Sequence, residues 1–335
     1  MSGSLIRGRL RRLRSEATPL QGESYLPKTI PYLSITRKYD LLPSDPKASI
    51  FDCRSHTFLI SYPPFMKKSL KYRAAIAEAR RIVVKMGSRV LVQKTGRPDI
   101  RMIKGLVRDI ATLQKSGHEI VVVTSGAIGA GMEALGMEER PTSLPDLQMS
   151  AAVGQCRLMS LYDSLFSAAG CKIGQVLLTH DDFHHKIRMT NARRTMENMI
   201  RYKVIPIVNE NDVVADEEIK ADLALGDNDL LASLLAKLIR ADLLIMLTTV
   251  DGLRETTAGK SHRVKYLENI TRDTYALVTG SKSKLSKGGM ASKLRAAESV
   301  AKAGCSALIA NGRQTGVLTS IMNGSDVGTL ILAAI

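Results

Sequence analysis

The feature that most constrains this chain is a β-branched apolar run that stops abruptly at polar residues. Residues 204–208 (VIPIV) end in Asn209-Glu210-Asn211-Asp212. A turn at Gly226-Asp227-Asn228-Asp229 then opens the apolar helical pattern of residues 230–238. A strand that ends at amides and carboxylates, and a helix that starts at them, place polar groups on one rim of a sheet. In open α/β sheets ligands sit at that rim, outside the carboxyl ends of the strands. Acidic residues at a helix start also complement its dipole, so capping is the structural alternative for Asp227 and Asp229.

The alternation recurs. Residues 81–86 read as a buried strand running into Lys85, Gly87 and Ser88, and residues 100–115 carry apolar residues at helical spacing, closed by Gly117. Residues 119–124 (EIVVVT) form the next strand and lead into Ser125-Gly126 and a small-residue helix start. Residues 147–168 are helical, with a Met stripe that reads as core. Strands follow at 172–178, 243–247, 306–310 and 328–332, with helical stretches between them. Residues 74–80 read as a short helix or linker, 57–62 as a short strand, and 255–283 as a polar loop or small flap. Strands separated by helices or crossovers predict a mainly parallel sheet in an α/β fold.

Several segments suit anions. A Lys at the end of a buried strand is costly without an anionic partner, so Lys85 points to an anion unless it snorkels to the surface. The turn at Gly87-Ser88 can add backbone N–H groups. Lys287-Gly288-Gly289-Met290, with Lys293, opens a helix in a manner suited to phosphate. Other motifs are weaker. Gly129-x-Gly131-x-x-Ala134 fits the dinucleotide fingerprint formally, but no acid ends a strand about 20 residues later. Gly259-Lys260-Ser261 lacks the earlier glycine of a phosphate loop, since Arg254 stands there. His180 and His184 are four apart, yet the motif lacks its glutamate and further ligands, so we read a helix start with exposed histidines.

Composition narrows the class. The net charge of +16 invites a nucleic-acid reading, but residues 1–74 hold 14 Lys and Arg against 5 Asp and Glu, so over half of the excess lies there. That segment reads as a basic, poorly ordered extension, and residues 75–335 as the folded domain. Its Arg-rich start resembles an organellar transit peptide, the alternative being a solvated basic arm. A mitochondrial address would follow from the first, and the cytoplasm is the default. The Arg cluster at residues 7–14 has no interleaved aromatics, so a nucleic-acid-binding protein is the weakest alternative. The four scattered cysteines argue against a disulfide framework and a zinc site. No apolar run is long enough to span a membrane.

In combination, IVVKMGS (82–88), VVTSGAIGAG (122–131), AAVGQ (151–155), TNAR (190–193), VIPIVNENDVV (204–214), GDND (226–229), GGMASK (288–293) and the closing GTLI resemble the glutamate 5-kinases of the amino acid kinase superfamily. The resemblance runs in order from about Arg80 to Leu332. It implies a three-layer αβα sandwich and transfer of the ATP γ-phosphoryl group to the γ-carboxylate of L-glutamate, with Mg²⁺ carried mainly by the ATP phosphates rather than by protein ligands. Carried over by motif, Ser125, Gly126, Asn209, Asp212, Asp227 and Asn228 hold glutamate. Lys85 and Lys293 stabilise the transferring phosphate, and Asp229 organises both lysines. Gly87, Ser88, Thr248, Thr249 and the segment Lys287, Gly288, Gly289, Met290 to Lys293 contact ATP. Other carboxylate or phosphate acceptors of the superfamily are the second choice. Homo-oligomers and feedback inhibition by proline are common expectations for such enzymes.

Two positions depart from the family pattern. Thr249 stands where an acid is common, and the segment before Gly288 is poor in glycine, which bears on nucleotide affinity. By the same resemblance the kinase domain closes near Leu332. Neither an RNA-modification-type accessory domain nor a fused reductase is expected, which leaves proline sensitivity open.

Overall fold

The computed structural model describes residues 64–93, 95–215, 228–257, 259–279 and 289–334, all within the compact unit Ile60–Ile335. The strand expected at residues 57–62, the basic extension up to residue 63, and Asp227, Lys287 and Gly288 lie outside them.

Helix α1 (Pro64–Ala77) leads into β1 (Arg81–Met86), a one-turn helix α2 (Ser88–Leu91) and α3 (Ile100–Lys115). Then come β2 (Glu119–Val123), α4 (Ala127–Ala134), α5 (Leu144–Ala168), β3 (Lys172–Leu178), α6 (His180–His184), α7 (Lys186–Arg201) and β4 (Val204–Glu210). The second half holds α8 (Asn228–Leu238), β5 (Leu243–Thr248), β6 (Arg254–Thr257), β7 (Lys260–Arg263), β8 (Tyr266–Leu267) and α9 (Arg272–Thr279). It closes with α10 (Met290–Ala301), β9 (Ser306–Asn311), α11 (Val317–Met322) and β10 (Thr329–Ile331).

Eight strands form one sheet in the order β3-β4-β2-β1-β5-β9-β10-β8. The first six run parallel. β10 pairs antiparallel with β9, and β8 parallel with β10. From β1 the chain moves out to β2 on one side and later returns to β5 on the other. A crevice opens at the carboxyl ends where the order reverses.

Strand pleating sorts the core into two layers. Ile82, Val84, Ile120, Val122, Ile205, Ile207, Ile245 and Leu308 pack against α3, α5 and α11. Val83, Val121, Val123, Val208, Met246 and Ile309 pack against α7, α8 and α10. Both faces are covered, so the strands read as unbroken apolar runs. Period two then puts Lys85 on the face of Val83, toward α8 and α10, and Asn209 on the face of Ile207, toward α5. Among the described residues no helix is long and apolar enough to cross a membrane.

Three elements differ from the sequence reading. Helix α1 starts at Pro64 rather than near Ala74, because its anchor is one side chain and not an apolar stripe. Arg73 is 1% exposed and donates to the carbonyls of Ser325, Val327, Lys265 and Gly328, beside Asp326 at 3.1 Å. The expected flap at 255–283 contains the antiparallel hairpin β6–β7, the edge strand β8 and helix α9. The last strand runs against its neighbour, since the short α11 returns the chain to the sheet from the opposite end. Arg73→Met is expected to lower unfolding free energy by about 3 kcal/mol, since it removes four hydrogen bonds and an ion pair made by one buried side chain. Urea unfolding reads this directly, and an unchanged midpoint would remove Arg73 as the anchor of α1.

Candidate active site

The rim at the carboxyl ends of β1, β2, β4 and β5 gathers side chains from far apart in the chain. Asp229, in the first turn of α8, is 1% exposed. One of its oxygens lies 2.7 Å from Lys85 Nζ at the end of β1. The other lies 2.8 Å from Lys293 Nζ in the first turn of α10 and accepts from Ser292 Oγ at 2.9 Å. Lys85 and Lys293 are themselves buried. Burial pushes the Asp229 carboxyl upward, but the Lys85 and Lys293 charges outweigh it and hold it below the usual carboxylate range. Asp229 therefore holds both lysines with its carboxylate. Two ammonium groups share this one carboxylate at the rim. Lys85 does not snorkel, because its anionic partner is Asp229.

Beside this triad lies a chain of amides. Asn228 Nδ2 donates to the Thr124 carbonyl at 2.7 Å, to Ser125 Oγ at 2.8 Å and toward Asn209 Oδ1 at 3.3 Å. Asn209 Nδ2 donates to Gln155 Oε1 at 2.8 Å. Thr124 Oγ1 and the Tyr162 hydroxyl, both buried, are 2.7 Å apart and fix the strand end from below. Gly126 starts α4 at φ 103°, a left-handed conformation that favours glycine. That turn places the start of α4 directly after Ser125.

Helices α4 and α5 cross unusually close. A Cβ on Gly154 would sit 1.8 Å from the Ala127 carbonyl oxygen, and one on Gly131 would sit 1.8 Å from that of Ser150. Gly131 thus serves helix packing rather than a dinucleotide turn. The crossing brings Gln155 to Asn209.

On the other side of the triad, Thr248 is half-buried and Thr249 exposed at the end of β5, and Gly289 caps α10 without a side-chain bond. The Gly87 N–H is taken by the Leu247 carbonyl at 3.1 Å, so it is not a free phosphate donor. Gly87 instead keeps β1 and β5 close, since a Cβ there would meet that oxygen at 3.0 Å. Asp212 stands in the turn after β4, half-buried. The structure thus brings Lys85, Asp229 and Lys293 together, and Ser125, Asn209 and Asn228 together. Sequence reading missed Gln155 and Ser292, although AAVGQ and GGMASK contained them. A Gln mid-helix carries no local sign of its partner. His180 and His184 bracket the short α6, and among the described residues no three His, Cys, Asp or Glu side chains gather to hold a metal ion.

A parallel sheet with a buried lysine pair at its switch point and a polar amide cluster beside it defines a phosphotransferase of the αβα sandwich class. Residues 80–311 match the amino acid kinase family, and the chain belongs to it. A glutamate 5-kinase of Moorella thermoacetica is 41% identical over 263 residues, covering 78% of this chain and 68% of that protein. One from Clostridium tetani is 39% identical over 257 residues, covering 76% of this chain and 95% of that protein. The carbamate kinase of Giardia lamblia bound to AMP-PNP is similar in fold, with a TM-score of 0.54 at 17% identity over 77% of this chain and all of that one.

Proposed function

We propose that this chain transfers the γ-phosphoryl group of ATP to the γ-carboxylate of L-glutamate, forming glutamyl 5-phosphate and ADP. The observation that carries the reading is the buried Lys85–Asp229–Lys293 triad set against the Ser125–Asn228–Asn209 cluster. A carboxylate and a triphosphate repel each other as they meet. Phosphoryl transfer asks the protein mainly for positioning and charge neutralisation. In a buried site fixed ammonium groups need no reorganisation as charge migrates.

Lys85 reaches the phosphate from the sheet and Lys293 from α10, with Asp229 holding their spacing. As the phosphoryl moves from ADP toward the carboxylate oxygen, the lysines stay with its equatorial oxygens. Ser125, Gly126 and the start of α4 offer donors for a carboxylate, since a helix N-terminus favours anions. Asp212 and Asn228 present acceptors suited to the α-ammonium. Thr248, Thr249, Gly289 and Met290 flank the nucleotide, together with Ser88. Mg²⁺ carried by the ATP phosphates would supply further neutralisation there. Both Asp229 oxygens are already engaged by ammonium groups, so a protein-held ion does not fit at Asp229.

The test is ADP release coupled to L-glutamate addition, with hydroxylamine trapping the acyl phosphate. Lys293→Ala is expected to lower kcat about 100- to 1000-fold, the size seen when one fixed charge-stabilising donor is removed. A loss smaller than tenfold, or ADP release indifferent to glutamate, would remove this reading.

A further inference from the structure

The amide chain beside the triad has a direction, and one backbone atom sets it. The Thr124 carbonyl only accepts, so the Asn228 atom 2.7 Å away is Nδ2. The Asn209 atom facing that nitrogen must accept and is Oδ1. Asn209 then turns Nδ2 toward Gln155, which answers with Oε1 at 2.8 Å. No amide in the series can flip without setting donor against donor or acceptor against acceptor. One donor and one acceptor are left over at the ends. Gln155 Nε2 and Asn228 Oδ1 are buried and have no hydrogen-bond partner among the described residues. A buried donor without a partner costs about 1–3 kcal/mol, so it is kept where a ligand completes it.

We propose that Gln155 is a substrate-binding residue whose Nε2 donates to the α-carboxylate of the acceptor amino acid. The inference rests on the functional reading above. The γ-carboxylate must lie at the Lys85 and Lys293 end, where the phosphoryl group arrives. Gln155 lies at the opposite end of the amide chain from Asn228, the neighbour of Asp229. The acceptor's remaining anionic group is its α-carboxylate. Gln155 is well placed to discriminate, because it follows Gly154 at the tight α4–α5 crossing and its position is fixed by backbone contact.

The experiment measures KM for L-glutamate and for ATP in the full chain, in Gln155→Ala and in Gln155→Glu, with the inhibition constant of 4-aminobutanoate, which is glutamate without the α-carboxylate. Gln155→Ala is expected to raise KM for L-glutamate about 10- to 100-fold, the size of a lost hydrogen bond to a charged group. KM for ATP and the inhibition constant of 4-aminobutanoate should move less than about threefold. Gln155→Glu keeps an oxygen for Asn209 Nδ2 but faces the substrate with a charge, so its KM for glutamate should exceed that of the alanine variant. If the glutamate variant lies closer to wild type than the alanine variant, Gln155 only positions Asn209 and the proposal is overturned. Equal losses for both amino acids overturn it too. An active wild type with unmoved KM in both variants overturns this proposal alone. A wild type that forms no hydroxamate from L-glutamate overturns the functional reading and this inference with it.

Discussion

Asp229→Asn is expected to abolish turnover to within about a thousandth of the wild-type kcat while leaving the fold recognisable but weaker. The amide fills the same volume, yet it removes the carboxylate charge that two ammonium groups share at 2.7 and 2.8 Å. Breaking a buried ion pair by removing one partner commonly costs about 3–5 kcal/mol. Here two lysines would lose the carboxylate that holds their spacing, and each would shift or lose its proton more readily. Either response misplaces the charge that the phosphoryl group needs. The pH dependence follows from the same geometry. The native Asp229 carboxyl lies below its ordinary value, because Lys85 and Lys293 overcome the effect of burial. A depressed carboxyl contributes stability that is complete above the unfolded value of about 3.9 and is lost as pH falls through the native one. The stability gap between wild type and Asp229→Asn should therefore be constant from neutral pH down to mild acid and narrow below about pH 4. Thermal unfolding across that range checks it. A gap that stays the same down to strong acid would mean that Asp229 is not the charge anchoring this site.

Gly154→Ala is expected to destabilise the protein by about 3 kcal/mol or more, above the usual cost of one added methyl. The new Cβ would stand 1.8 Å from the Ala127 carbonyl oxygen and 2.3 Å from the Gly131 nitrogen. Those are backbone atoms of α4, so no rotamer change relieves the clash and the two helices must part. Parting them also moves Gly126 on one helix and Gln155 on the other, so glutamate affinity should fall along with stability. Gly105→Ala is the matched control. Gly105 lies inside α3 with open space where its Cβ would go, and alanine there should be neutral or stabilising by up to about 1 kcal/mol. Chemical denaturation of the two variants separates a contact effect from a general intolerance of alanine for glycine. Equal midpoints for both would refute the close crossing.

Much of this molecule was legible because its information is local. Apolar runs of strand length ending at Lys85, Ser125, Asn209 and Thr248 announce a parallel sheet and mark its functional rim, since both depend on patterns a few residues long. Family motifs added the proposed roles of Lys85, Asp229 and Lys293. Helix α1 escaped this reading because Arg73 anchors it through carbonyls some 190 to 255 residues later, and no window of sequence contains both ends. The direction of β10 escaped it because a strand's pattern is the same read up or down the sheet. Gly87 was read as a phosphate turn, whereas the neighbouring strand takes its N–H.

The sequence by itself determined which residue types reach the rim, because strand pleating and helix periodicity are properties of consecutive residues. Only the tertiary structure decided what they do to each other there. Gln155, Asn209, Asn228 and Thr124 form an oriented series because a helix crossing, two strand ends and the start of α8 meet in space. Its polarity follows from a single carbonyl, which no spacing of residues could foretell.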